Sequence, residues 1–216
     1  MTTLAWAFAG AALAVALVEW WATYARKVTI RYVTKPLSLA LLIGVAVTLE
    51  PFDGTVRAWF VAGLVLSLAG DVFLLGSEKL FVGGLASFLL GHLAYVVGLQ
   101  LGRESWPWLA VGVVVVAVAI ATIGRRIVSG VRTNPEHGGG ELVGPVIAYL
   151  VVISAMVVSA FGTASAVAVA GAMLFYASDA TLAWNRFIEE RRLGGVAVMV
   201  TYHLGQAGLV AWLVTC

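Results

Sequence analysis

Two aspartates interrupt apolar runs of this sequence in the same way. Asp71 stands in LSLAGDVFLL and Asp179 in FYASDATLA, with small or aliphatic neighbours on both sides. A carboxylate is costly where water is scarce, so each needs a partner or a task. Two carboxylates brought close at low dielectric share a proton more readily than they ionise together. Such a pair sets a general acid beside a general base, which is what a hydrolytic step requires. The plainer alternative for each is a structural acid, bonded to a neighbouring helix or, for Asp71, to Ser67 one turn earlier.

Further candidates surround the pair by type and spacing. Lys35 has three roles open to it: binding an anion, binding an aspartate, or merely neutralising Glu19 while it snorkels. Arg186 follows Asp179 by seven residues, two turns along one helix face. An anion held by Arg186 would leave the adjoining bonds of a lipid pointing at Asp179. Tyr202 and Gln206 share a face at i,i+4, as do Phe88 and His92, with Tyr95 close by; side chains of this kind also glue helices together. His92 and His203 could join the acids as zinc ligands. No H-x-x-x-H or H-x-x-x-D spacing supports that, so the site is expected to be metal-free. The sequence contains no P-loop, nucleophile elbow or CxxC, and no nucleic-acid signature; His137 sits in a Gly-rich loop and reads as solvated.

These residues must be positioned by helices in a bilayer. The chain is 62% hydrophobic and 11% charged, with a mean hydropathy of +1.00, whereas soluble domains carry roughly 25% charge. An all-α polytopic membrane protein forming one domain, residues 1–216, is the expected class. Cys216 is the lone cysteine, which excludes an intramolecular disulfide. MTTLAWAFAG lacks a basic leader region, so it is expected to be a retained first helix.

Apolar segments lie near 4–24, 36–49, 57–76, 80–101, 106–123, 142–160, 164–183 and 194–214. The second is short of the about 20 residues a span needs, so its helix must begin before Lys35. Eleven of the thirteen lysines and arginines then fall in alternate loops, against Arg57 and Arg103 on the other side. The positive-inside rule places both termini outside the cytoplasm. It also places Glu19, Lys35, Asp71 and Asp179 at one depth near the cytoplasmic side. Pro36 and Pro145, Asp71 and Asp179, and His92 and His203 recur at offsets of 109, 108 and 111. That recurrence suggests parallel four-helix repeats, 1–104 and 105–216, with a site between them.

The runs TKPL (34–37), LSLAGDVFLL (66–75), FVGGLASFLLGHLAY (81–95), YASDATLAWNRF (176–187) and VMVTYHLGQAGL (198–209) resemble the YhhN family of integral membrane proteins, which includes the animal lysoplasmalogenases. Trp184 and His203-Leu204-Gly205 depart from the usual pattern without touching the acids. The resemblance implies a hydrolase that cleaves the vinyl-ether bond of a lysoplasmalogen or related lysolipid. That chemistry fits the residues already singled out, with Asp71 and Asp179 expected as the catalytic pair and substrate contacts expected from Lys35, Arg186, Asn185, Tyr202, Gln206, His92, Tyr95 and Glu19. No cofactor is expected, and the partners are a lysophospholipid and the membrane. The alternatives are a lipid-binding or lipid/proton transport protein, and an enzyme acting on another amphiphile.

Overall fold

An apolar chain can satisfy its backbone in a bilayer only as helices or as a closed barrel. The computed structural model describes residues 1–76, 78–134 and 139–215, which are helical and contain no strand; His137 and Cys216 lie outside them. The helices are α1 Thr3–Tyr24, α2 Val28–Thr48, α3 Gly54–Leu75 and α4 Phe81–Leu101, α5 Trp106–Thr133, then α6 Val143–Gly162, α7 Ala166–Phe187 and α8 Gly194–Trp212.

All eight apolar segments are helices. As expected, α2 begins at Val28, well before Lys35; it carries Pro36 inside it, and Ser38 Oγ there donates to the Lys35 carbonyl at 2.8 Å. A π turn at Ile120–Gly124 ends the apolar segment of α5, and the helix outruns that segment by a basic tail, Arg125–Thr133. The tail folds because Ile127 and Val131 lie on one face and bury against Val146 and Phe187. Helices α1 to α7 are long and apolar enough to cross a membrane, counting α6 with the short turn before it. Helix α8 is 19 residues long and carries three buried polar side chains, Tyr202, His203 and Gln206. It lies along α7, with which it shares a seam.

Consecutive helices pair as hairpins. The α7–α8 seam is made of glycine: a Cβ on Gly205 would lie 2.7 Å from the Phe175 nitrogen and 3.0 Å from the Gly171 oxygen. Backbones approach this closely only where side chains are absent, the usual device for packing membrane helices. The α3–α4 pair interleaves rings with glycines instead, Tyr95 against Gly63 and Phe88 against Gly70. Outside the bilayer, Asp53 caps α3. Its carboxyl is held below the usual carboxylate range by the backbone N–H of Val56 and then that of Thr55.

Candidate functional site

The last turns of α3 and α7, the π turn and tail of α5, and the first turns of α2, α4, α6 and α8 meet around a cavity of about 440 Å³. Asp71 and Asp179 both line it, together with Lys35, Tyr202, Asn185 and Arg186 from the predicted set. Its lining divides between charged side chains, Arg31, Lys35, Arg186 and Glu190, and apolar ones, among them Leu85, Phe88, Ile127, Val146, Leu150 and Ile153. An amphiphile with an anionic head matches that division.

Asp71 is nearly enclosed. Lys35 Nζ lies 3.1 Å from Oδ1, with side-chain exposures of 8% and 1% for lysine and aspartate. Tyr202 donates its hydroxyl to Oδ2 at 2.9 Å. Behind it, Gln206 Nε2 donates to the Tyr202 oxygen at 3.5 Å, and Tyr95 donates to Gln206 Oε1 at 2.6 Å. Every donor in this chain points toward Asp71, so the bonds polarise one another and converge on a carboxylate. Tyr95 and Gln206 therefore orient Tyr202 from behind; neither lines the cavity.

Asp179 is differently served. Tyr149 on α6 donates its hydroxyl to Oδ2, and His92 Nε2 lies 3.7 Å from the same oxygen. His92 Nδ1 is 2.7 Å from the Phe88 carbonyl, an acceptor, so Nδ1 carries the hydrogen. The buried Nε2 has no hydrogen-bond partner.

The remaining candidates have structural partners. Glu19 is fully buried and bonds Arg31 at 3.0 Å, Thr34 and Thr23. It does not pair with Lys35 and does not line the cavity; Arg31, which it anchors, does. Ser67 likewise is no partner of Asp71. His203 Nδ1 accepts from Trp20 Nε1 at 2.9 Å, and Nε2 meets Ser38 Oγ at 2.9 Å, so this histidine ties α8 to α1 and α2. Asn185 Oδ1 accepts from the Arg191 nitrogen at 3.3 Å and closes the turn after α7. The Arg186 guanidinium rests 3.7 Å over the Phe81 ring. Among the described residues no three His, Cys, Asp or Glu side chains gather as a metal site would require.

Tyr149 is the residue that sequence reasoning missed. Its signal was available: a tyrosine one turn beyond Pro145, in the run VIAYLVVI (146–153), whose other residues are all Val, Ile, Ala and Leu.

Two proteins named lysoplasmalogenase, from Mycobacterium bovis and Mycobacterium tuberculosis, are each 34% identical to this chain over 168 residues. The match covers 76% of this chain and 61% of each relative, so the chain spans less than two thirds of their length. No solved structure matches it. The sequence pattern of the YhhN family matches residues 30–213, a stretch that contains Lys35, Asp71, Tyr149, Asp179 and Tyr202, and the chain belongs to that family.

Proposed function

We propose that this chain is a membrane-embedded hydrolase that cleaves the vinyl-ether bond of a lysoplasmalogen or a related lysolipid, with Asp71 and Asp179 as its acid–base pair. The observation that carries the reading is that both aspartates line one cavity whose wall mixes cationic with apolar side chains. The name of the two mycobacterial relatives supports the substrate class.

The partners of the two acids divide the roles. Asp71 receives donors on both oxygens, from Lys35 and Tyr202, which favours a standing carboxylate. Asp179 faces the lone pair of His92 Nε2, and two acceptors in that position call for one proton between them. Asp179 is then the acid, with His92 behind it as proton partner and Tyr149 orienting the carboxyl. Protonation of the vinyl β-carbon by Asp179 forms the new C–H bond and leaves an oxocarbenium ion. Asp71 stabilises this cation and takes a proton from the water that attacks the α-carbon. In the hemiacetal, Asp71 returns that proton to the glyceryl oxygen as the C–O bond breaks. Asp179 takes the remaining water-derived proton from the hemiacetal hydroxyl, so aldehyde and glycerophospho-base leave with both acids restored.

Release of free aldehyde from a defined lysoplasmalogen by purified protein tests the reading. Asp71→Asn and Asp179→Asn should each lower turnover ~10²-fold or more, the scale of lost acid–base help. The double variant should be scarcely worse than either single, because the two act as one unit. Near-full turnover by either folded single variant would sink the pair mechanism and move the lipid/proton transport reading ahead.

A further inference from the structure

A second cavity, of about 400 Å³, lies between the cytoplasm-directed end of α5 and the start of α6. Its α5 wall includes Arg125, Ser129 and Arg132, which fall at i, i+4 and i+7 and so share one face. Its floor is apolar, made by Ile120, Val128, Ile147 and Val151. Both arginines are exposed, and Val151 is 58% exposed on the outer side of α6. Among the described residues neither arginine has a carboxylate partner.

The two parts of this groove differ in depth. From Ile120 to Arg132 the helix rises ~18 Å, so Ile120 sits deepest, at the level of acyl chains, and Arg132 at the level of head groups, with Arg125, Val128 and Ser129 between them. These arginines belong to the loops that hold eleven of the thirteen lysines and arginines. Basic pockets between membrane helices on such a face recognise lipid phosphate. Two guanidiniums flanking a hydroxyl offer a phosphodiester several donors, and among the described residues no acid lines the groove to hold a zwitterionic ammonium.

We propose that this groove is a binding site for one anionic diacyl phospholipid, its phosphate held by Arg125, Ser129 and Arg132 and its first acyl carbons lying on Ile147 and Val151. The site is separate from the aspartate cavity, but the two share a wall. Gly124, at the end of the π turn, and Leu150 line both. A lipid seated here braces that wall from outside.

Native mass spectrometry of the delipidated protein in detergent, titrated with phosphatidylglycerol or phosphatidylcholine of identical chains, tests the proposal. One phosphatidylglycerol should be retained with a preference of about tenfold or more over phosphatidylcholine. Arg125→Gln/Arg132→Gln should abolish the preference, whereas Arg126→Gln, which lies outside the groove, should keep it. Val151→Trp leaves every charge in place and fills the floor, so it should weaken retention as well. Equal retention of both lipids, or a preference untouched by the double arginine variant, would overturn the site. A preference lost equally on Arg126→Gln, or phosphatidylglycerol retention undiminished by Val151→Trp, would reduce the groove to general surface charge and overturn it too.

Discussion

The Lys35–Asp71 pair gives the sharpest test of how the site is held. At 3.1 Å and an effective dielectric near 20, the attraction is ~5 kcal/mol, most of it offset by the cost of removing both charges from water. The pair therefore adds little net stability. Breaking it is another matter, because Lys35→Met leaves the carboxylate of Asp71 enclosed with only the Tyr202 hydroxyl to oppose its charge. We expect Lys35→Met to lower unfolding free energy by about 3–5 kcal/mol. Adding Asp71→Asn removes the stranded charge while its amide oxygen still accepts from Tyr202. The double variant should recover at least about 2 kcal/mol, a coupling that only contacting groups produce. Reversible unfolding in mixed micelles at graded SDS, followed by tryptophan fluorescence, measures all four corners of the cycle. A Lys35→Met cost below about 1 kcal/mol, with additive effects, would refute the reasoning.

Three further outcomes are expected. Tyr149→Phe removes the hydroxyl from Asp179 and should lower turnover about 10- to 100-fold, the worth of a hydrogen bond to the carboxylate that Asp179 becomes as it gives up its proton, while Tyr24→Phe on the exposed end of α1 should not. Gly205→Ala drives a methyl into the backbone of α7 and should cost ~1–3 kcal/mol in the same unfolding assay, whereas Gly10→Ala meets nothing within 4 Å and should be neutral or mildly stabilising. Reporter fusions at residues 1 and 216 should both be active only outside the cytoplasm, as the loop charges require; an active cytoplasmic fusion at either end would reverse or break that assignment.

The spans were legible because a bilayer imposes one length and one polarity on every helix. Even the hidden start of α2 followed from arithmetic, since 36–49 is too short to cross. The end of α5 was not legible. Its tail is helical through one-sided packing of Ile127 and Val131, which a hydropathy window averages with three arginines and discards. Asp71 and Asp179 stood out because an acid in an apolar run is conspicuous wherever its partners lie. The partners themselves depend on helix rotation and inter-helix distance. Spacing along the chain therefore left Lys35 divided between Glu19 and Asp71, and hid the bond from Tyr149 to an aspartate thirty residues away.

The hairpins give the site a mechanical character. Asp71 and His92 travel with the α3–α4 pair, and Asp179 and Tyr202 with the α7–α8 pair, each locked by its own seam. The bond from Tyr202 to Asp71 and the contact of His92 with Asp179 both cross between these pairs, in opposite directions. They act like two straps on one clamp: sliding or spreading the pairs strains both together. A lipid that prised the pairs apart would disarm both acids as it entered. A lipid that came in past Gly124 and Leu150, where the π turn has already interrupted the regular ladder of α5, would disturb neither strap.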